Sequence, residues 1–485
     1  MADTMSQSNS QRLFFDISGV VDYIENIDRY SGIQRVVATL ISEFSELVDP
    51  DRLYLSWCDK ATGKHLCVHF SQLGQAAFAS PKTMRRYFHP KKKSLEDLPA
   101  LRKYPEKSLK FYFHRMRLDL ASIRGHEKSF LRYNMTAKTW KDKRWGKADD
   151  KSGSLEPTPL QNEATAGDLL ILLDFAGQPR HIELFQAAKE KGLVIHSLIY
   201  DLIPIVAPHL VPGNAPVRFY DWMLKTMHLS DRFMAISEAA RQDALRFFDI
   251  HKHDAEVTTV PLAQASIPDT SVDRENEKEG PLSRDINTTA YPMLKDIVQI
   301  GEDIRHLLTG PFVLCVGTIE ARKNSWRIAM AWKQLWDDGH RDLPKLVFAG
   351  RTGAIQEDFA DLLKATGNLY GHVSLLEGPS DMELDLLYKH CSFTIMASLY
   401  EGWGLPVGEA LAYGKTAVVA NNSSLPEVGG DLVEYCDGEN ISSIADAVKL
   451  LTDPAHRSAL EDKIRATKLR GWDDVAKDLS KALHS

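Results

Sequence analysis

The sequence predicts an α/β protein built as two doubly wound domains that face each other across a cleft. Three observations carry this reading. Apolar runs of strand length alternate with helix-length amphipathic segments along nearly all of the 485 residues. The strand runs are near-continuous Val, Ile and Leu, the pattern of parallel strands covered on both faces rather than the alternation of a half-solvated sheet. A polar, charged stretch almost without aromatics, residues 264–285 ("QASIPDTSVDRENEKEGPLSRD"), divides the series in two and reads as a linker or loop.

The first series opens with "RLFFDIS" (12–18), a helix over 32–47 and "RLYLSWC" (52–58). A basic segment, 82–165, then interrupts it. Between Lys82 and Lys151 stand 21 Lys and Arg against 8 Asp and Glu, a net charge of about +13 in a chain whose total is −7. Tyr87, Phe88, Tyr104, Phe111, Tyr112, Phe113, Trp140 and Trp145 are interleaved there. The segment reads as a helical insertion with a basic face, either solvated, docked on an anionic bilayer, or holding an acidic polymer. The strands "DLLILLDF" (168–175), "LVIHSLIYD" (193–201), "RFMAIS" (232–237) and "VTTVPLA" (257–263) complete an N-terminal domain over 1–290. The second series, "PFVLCVGT" (311–318), "KLVFAG" (345–350), "VSLLEG" (373–378), "FTIMAS" (393–398) and "TAVVAN" (416–421), makes a C-terminal domain over 291–468.

Composition narrows the function class. With 44% hydrophobic and 26% charged residues the chain is globular rather than disordered or membrane-spanning. A net charge of −7 argues against nucleic-acid binding by the whole protein. Five cysteines without a Cys-x-x-Cys pair or a close Cys/His cluster suit buried thiols in a reducing compartment, not a disulfide frame or a zinc site. The polar start "MADTMSQSNSQR" and the lack of a long apolar run lead to the expectation of a cytoplasmic protein, associated at most with the inner face of the cell membrane.

Chemistry concentrates in "SLYEGWGLPVGEALAYGKTAVVANNSSLPEVGG", residues 398–430. Gly402 and Gly404 permit positive φ and close backbone approach, and Pro406 suits the first turn of a helix. Free amides at that helix start make an anion site. Glu401 precedes it and Glu409 lies inside the helix. Two carboxylates beside a phosphate site repel a phosphate unless they read hydroxyls, and a sugar nucleotide offers hydroxyls on both sides of a diphosphate.

That stretch resembles the Glu-x7-Glu signature of the retaining glycosyltransferases of family 4, enzymes of the GT-B fold with two Rossmann-like domains. "VGTIEARKN" (316–324), "EGPSDMELDLLYKHC" (377–391) and "RGWDDVAKDL" (470–479) are similar to the family's C-terminal half; "DIS…YSGIQRVV" (16–37), "IYDLIPI" (199–205) and "DRFMAISEAARQDAL" (231–245) resemble it more loosely. The resemblance implies that residues 469–485 form a helix crossing back to the N-terminal domain. It also implies that Arg322 and Lys323 hold the donor diphosphate and stabilise it as it leaves, through bidentate and point-charge contacts. Glu409 would accept from ribose hydroxyls and Glu401 from the donor sugar, with the amides of Gly402 to Leu405 nearby; Gly317, Arg351 and Gly32 would line the donor. Asp201 is a candidate for a hydroxyl contact, and Tyr200 stands where many members have histidine. His196 is expected inside the sheet. Arg35 either assists at the phosphate or sits on the surface, and Glu427 is a further contact or a structural cap.

The resemblance implies hexosyl transfer from a nucleoside diphosphate sugar, GDP-mannose as first choice, to a glycan or lipid-linked glycan acceptor, with retention. No cofactor and no metal are expected: two cations and helix termini neutralise the diphosphate, and Asp49-Pro50-Asp51 reads as a plain turn. Competing readings are a sugar-nucleotide hydrolase or epimerase of the same fold, and a non-catalytic carbohydrate-binding protein.

Overall fold

Two sheets form, one from each series of strands. The computed structural model describes residues 11–484 except 26, 28, 31, 90–107, 127–128, 131–135, 138–139, 142–154, 175–178, 265–299, 352 and 354–356. The first sheet contains β1 (Leu13–Asp16), β2 (Leu53–Cys58), β3 (His65–His69), β4 (Thr158–Pro159), β5 (Leu169–Leu172), β6 (Val194–Ile199), β7 (Arg232–Ala235) and β8 (Val257–Thr259), in the order β4-β3-β2-β1-β5-β6-β7-β8. The second contains β9 (Phe312–Val316), β10 (Lys345–Gly350), β11 (Val373–Glu377), β12 (Phe393–Met396), β13 (Ala417–Ala420) and β14 (Glu434–Cys436), in the order β11-β10-β9-β12-β13-β14.

Every pairing in the second sheet is parallel. Its strand order reverses between β9 and β12, which lie side by side with Val313 opposite Phe393. In the first sheet the parallel order reverses at β1, flanked by β2 and β5. All four residues of β1, β5, β12 and β13 are buried. Continuous apolar runs therefore become central strands covered on both faces, each enclosed aliphatic side chain contributing about 1.5–3 kcal/mol.

Three expectations are corrected. The N-terminal sheet is not wholly parallel: "HLCVH" forms β3, antiparallel to β2 and β4 at the sheet edge. The short "EYC" becomes β14, an added edge strand. The insertion is narrower than 82–165. The helix Pro81–Phe88 belongs to the domain core, with Met84 fully buried, Phe88 edge-on to Trp57 at 4.9 Å, and Arg85 donating to the carbonyl of Ile27 at 2.6 Å. At the far end β4 pairs with β3, and Leu160 packs in a core with Leu170 and Phe185.

The expected crossing helix is Trp472–His484, whose Val475, Leu479 and Leu483 share a core with Val36, Leu40 and Phe44 of the helix Gly32–Phe44. Beside it runs the other crossing of the chain. The Gln264 amide donates to the Arg470 carbonyl at 3.0 Å, and the Arg470 amide returns a bond to Gln264 Oε1 at 3.2 Å. The remainder of the expected linker and the boundary at 290 lie outside the described residues. No helix among the described residues is long and apolar enough to cross a membrane.

Candidate functional site

The reversal of strand order between β9 and β12 decides which loops meet, because loops after two such neighbours diverge and leave a crevice at their carboxyl ends. The loop after β9 carries Arg322 and Lys323 in a 3₁₀ turn, Ala321–Lys323. The loop after β12 carries Glu401. Arg322 reaches Glu401 Oε2 at 2.7 Å and Lys323 reaches Oε1 at 2.6 Å. Arg322 also donates to the Tyr400 carbonyl at 3.0 Å and to Glu320 at 2.9 Å.

Local chemistry builds both loops. Gly317 has φ +142°, and a Cβ on Gly350 would stand 1.8 Å from the Gly317 carbonyl oxygen, so glycine at 350 is what lets the loop after β9 pass this close. Asn324 adopts the left-handed conformation at φ 60° and is buried; its amide donates to the carbonyls of Ala397 at 2.9 Å and Gly438 at 2.6 Å. It thereby ties the loop after β9 to those after β12 and β14, and the Arg-Lys-Asn stretch is a fixed structure rather than a solvated helix start. Ser424 Oγ bonds the carbonyls of both Glu401 and Trp403 at 2.9 Å, and the Glu401 amide donates to Ser423 Oγ at 3.0 Å. Asn324, Ser423 and Ser424 were not among the candidate residues. The left-handed Asn before a helix and the serine pair before Leu-Pro are the signals that point to them.

Charge settles on this triad. Glu401 is 6% exposed. Burial alone raises its pKa, but the Arg322 and Lys323 charges outweigh it and bring the carboxyl down to about 2. Burial lowers the Arg322 pKa, yet Glu401 and Glu320 together lift it above the usual arginine range. Both cations thus lie against Glu401 and border the cleft.

The N-terminal domain forms the opposite wall. A cleft of about 520 Å³ is lined by Gly32, Asp201, Arg322, Lys323, Glu401 and Glu409, among others. Gly317, Arg351, Gly402, Gly404 and Leu405 also border it, so all the expected site residues come together at one place. A Cβ on Gly402 would lie 2.5 Å from the Tyr200 carbonyl and 2.9 Å from Asp201 Cβ, so this glycine allows the two walls to touch. Gly404 has φ +110° at the start of the helix Leu405–Ala412. Asp201 accepts from the Ile203 amide at 3.0 Å, and burial raises its pKa against the opposing pull of Arg322. Tyr200, in the place of the expected histidine, has an enclosed hydroxyl with no partner among the described residues. His196 is buried in β6 as expected, and burial pushes its pKa down to about 4.

Glu409 is already engaged from both domains. It accepts from the Tyr388 hydroxyl at 2.6 Å and pairs with Arg35 from the helix Gly32–Phe44. Arg35 lines the cleft and bridges its two walls through this pair. Glu427 is a cap, and an unusual one: its carboxylate accepts from the amides of Glu238 at 2.7 Å and Ala239 at 2.9 Å, at the N-terminus of the other domain's helix Glu238–Ile250. The Trp403 indole donates to the Ala263 carbonyl at 3.2 Å, also across the domains.

All five cysteine thiols are free and buried, as expected. Asp16, Cys58 and His65 meet where β1, β2 and β3 come together, their ligand-type atoms all within 4.8 Å of one another. Asp16 is already occupied by the Ser18 amide and hydroxyl at 3.1 Å, Ser56 at 3.4 Å and His65 Nε2 at 3.1 Å, so the group works as a hydrogen-bonded tie between strands. Asp49-Pro50-Asp51 is a 3₁₀ turn in which Asp49 caps the Asp51 amide.

The family model for glycosyl transferases group 1 matches residues 300–467. An O-antigen chain mannosyltransferase B of Escherichia coli is 32% identical over 134 residues, 28% of this chain and 35% of that protein. A serotype-specific mannosyltransferase WbdA of Escherichia coli is 23% identical over 284 residues, 58% of this chain and 33% of that protein. These matches span about a third of the length of the curated relatives. Among solved structures, Anabaena HepE in complex with UDP-glucose superposes with a TM-score of 0.53 at 10% identity, covering 97% of this chain and 99% of that one. At that identity the likeness concerns the fold, which is GT-B.

Proposed function

We propose that this protein, whose residues 300–467 match the family model for glycosyl transferases group 1, moves a mannosyl group from GDP-mannose to a glycan acceptor in the assembly of a bacterial surface polysaccharide. The observation that carries the proposal is the ion triad of Arg322, Lys323 and Glu401 at the mouth of the cleft, opposite Asp201 and Gly32. Two fixed cations hold a diphosphate, and their charge counts most in the state where the bond to the sugar breaks and negative charge gathers on the leaving oxygen. Glu401, displaced from them by the phosphates, accepts from hydroxyls of the sugar. Glu409 exchanges Arg35 for the ribose hydroxyls. The acceptor hydroxyl attacks the face that the diphosphate leaves, its proton passing to the departing phosphate oxygen, so the anomeric configuration is retained. Charge neutralisation by Arg322, Lys323 and the free amides at Gly404–Leu405 makes a metal-independent reaction the expected one. The mannose and polysaccharide assignments draw on the names of the two Escherichia coli relatives.

A thermal-shift panel of GDP, UDP, dTDP and ADP tests the donor: a ligand at 100 times its Kd stabilises by about 2.7 kcal/mol, and GDP is expected to give the largest shift. Nucleotide release from GDP-mannose with and without a mannan acceptor then separates transfer from hydrolysis. Arg322→Ala and Lys323→Met are expected to lose on the order of 10²–10³ in rate. Equal shifts for all four nucleotides, or full activity in both variants, would overturn the proposal.

A further inference from the structure

Within the basic segment one helix, Leu109–Ile123, leaves an apolar face uncovered. Leu109 is 78% exposed, Phe113 65%, Met116 53% and Ile123 62%, with Tyr112 and Leu120 at 45%. At 3.6 residues per turn these six positions fall in a single stripe about 100° wide. The opposite face, with Phe111, Leu118, Ala121 and Ser122, is buried. Lys110, Arg117 and Arg124 border the stripe along one side, and the Arg115 guanidinium lies 5.0 Å from the Tyr112 ring centroid. This helix thus has one face packed and the other both apolar and edged by cations, exposed among the described residues.

We propose that this face docks the protein on an anionic lipid bilayer. The surrounding segment, 21 Lys and Arg against 8 Asp and Glu, supplies long-range attraction to anionic headgroups. The apolar stripe distinguishes a bilayer from a soluble polyanion, which attracts cations but has no use for exposed Leu, Phe, Met and Ile. Such a helix lies in the plane of the interface with its apolar side chains at the acyl boundary. Lys and Arg at the border extend their charged ends to the phosphates while their stems cover the edge of the stripe. The surface is separate from the cleft, so it stands or falls independently of the donor chemistry.

Flotation of the full chain with vesicles of phosphatidylcholine alone, and of phosphatidylcholine with 30% phosphatidylglycerol (about one anionic lipid in three), tests the proposal. Binding is expected only to the anionic vesicles and to weaken with salt. Phe113→Glu with Met116→Glu, both exposed and therefore harmless to folding, is expected to reduce partitioning at least tenfold with an unchanged Tm. Lys110→Glu with Arg117→Glu is expected to abolish the dependence on phosphatidylglycerol. Three results overturn it. One is anionic-vesicle binding that Phe113→Glu with Met116→Glu leaves intact, the mark of a polyanion site. Another is absence of vesicle binding with a dimer in sedimentation that the same variant dissolves, which assigns the face to a second copy. The third is absence of vesicle binding by a monomer.

Discussion

Glu401 is bound into the structure by charge. Its carboxyl sits between two cations inside the protein, and a buried ion cluster that loses one member leaves the others uncompensated. Its folded pKa, about 2, lies below the unfolded value of 4.5. Stability from this group is therefore fully present above about pH 4.5 and is lost as the pH falls toward 2. Glu401→Gln is expected to cost roughly 3–5 kcal/mol near neutral pH and to flatten the acid limb of the stability profile. Urea denaturation of both proteins from pH 7 to 3 measures it, and parallel profiles would remove the triad from the account. The same variant keeps both cations, so nucleotide affinity is expected to persist while transfer falls.

Loops and helix termini are the elements that join the two domains, and each junction rests on a small number of atoms. Gly402 is one. A methyl group there meets the Tyr200 backbone at 2.5 Å, which no rotamer change relieves. Gly402→Ala is expected to destabilise by about 1–3 kcal/mol and to hold the cleft open. Small-angle scattering would show a larger radius of gyration, and an unchanged radius with normal activity would contradict it. Glu427 is another. It caps a helix of the opposite domain with two hydrogen bonds at 2.7 and 2.9 Å. Glu427→Ala is expected to cost about 0.5–2 kcal/mol, the usual value of an N-cap, with exchange protection lost first at Glu238 and Ala239. A cap whose acceptor comes from the other domain also couples helix stability to the domain arrangement.

At the scale of the molecule the domains are held by two adjacent chain crossings, by the helix Trp472–His484 docked on Gly32–Phe44, and by the Arg35–Glu409 bridge. Leu479 is fully buried in that docking surface. Leu479→Ala is expected to lose about 2–5 kcal/mol and to loosen the positioning of Gly32 at the cleft. Calorimetry checks this: one cooperative transition is expected to separate into two. If it remains single and shifts by less than about 1 kcal/mol, the helix is an ornament rather than a clasp.

Much of this was legible in the sequence because it is encoded locally. Near-continuous apolar runs set the strands, since a parallel strand buried on both faces needs no polar alternation. Glycine spacing and Pro406 marked the turn after β12, since positive φ and a helix start have few chemical solutions. The short edge strands β3, β4 and β14 escaped because strands of two to five residues carry little periodicity, and because pairing at an edge depends on a neighbour distant in the chain. The partners of Arg35 and Glu427 escaped for a related reason. Glu409 lies 374 residues beyond Arg35, and the amides that Glu427 caps lie nearly 190 residues before it. By itself, then, the sequence determined the two α/β domains and the residue types on the C-terminal wall of the cleft, because backbone conformation and burial pattern are local properties. Only the tertiary structure decided that Glu401 rests on both cations, that Glu409 is shared with Arg35, and that one apolar face of Leu109–Ile123 is exposed. Which charges meet, and which surfaces stay bare, depends on distance in space.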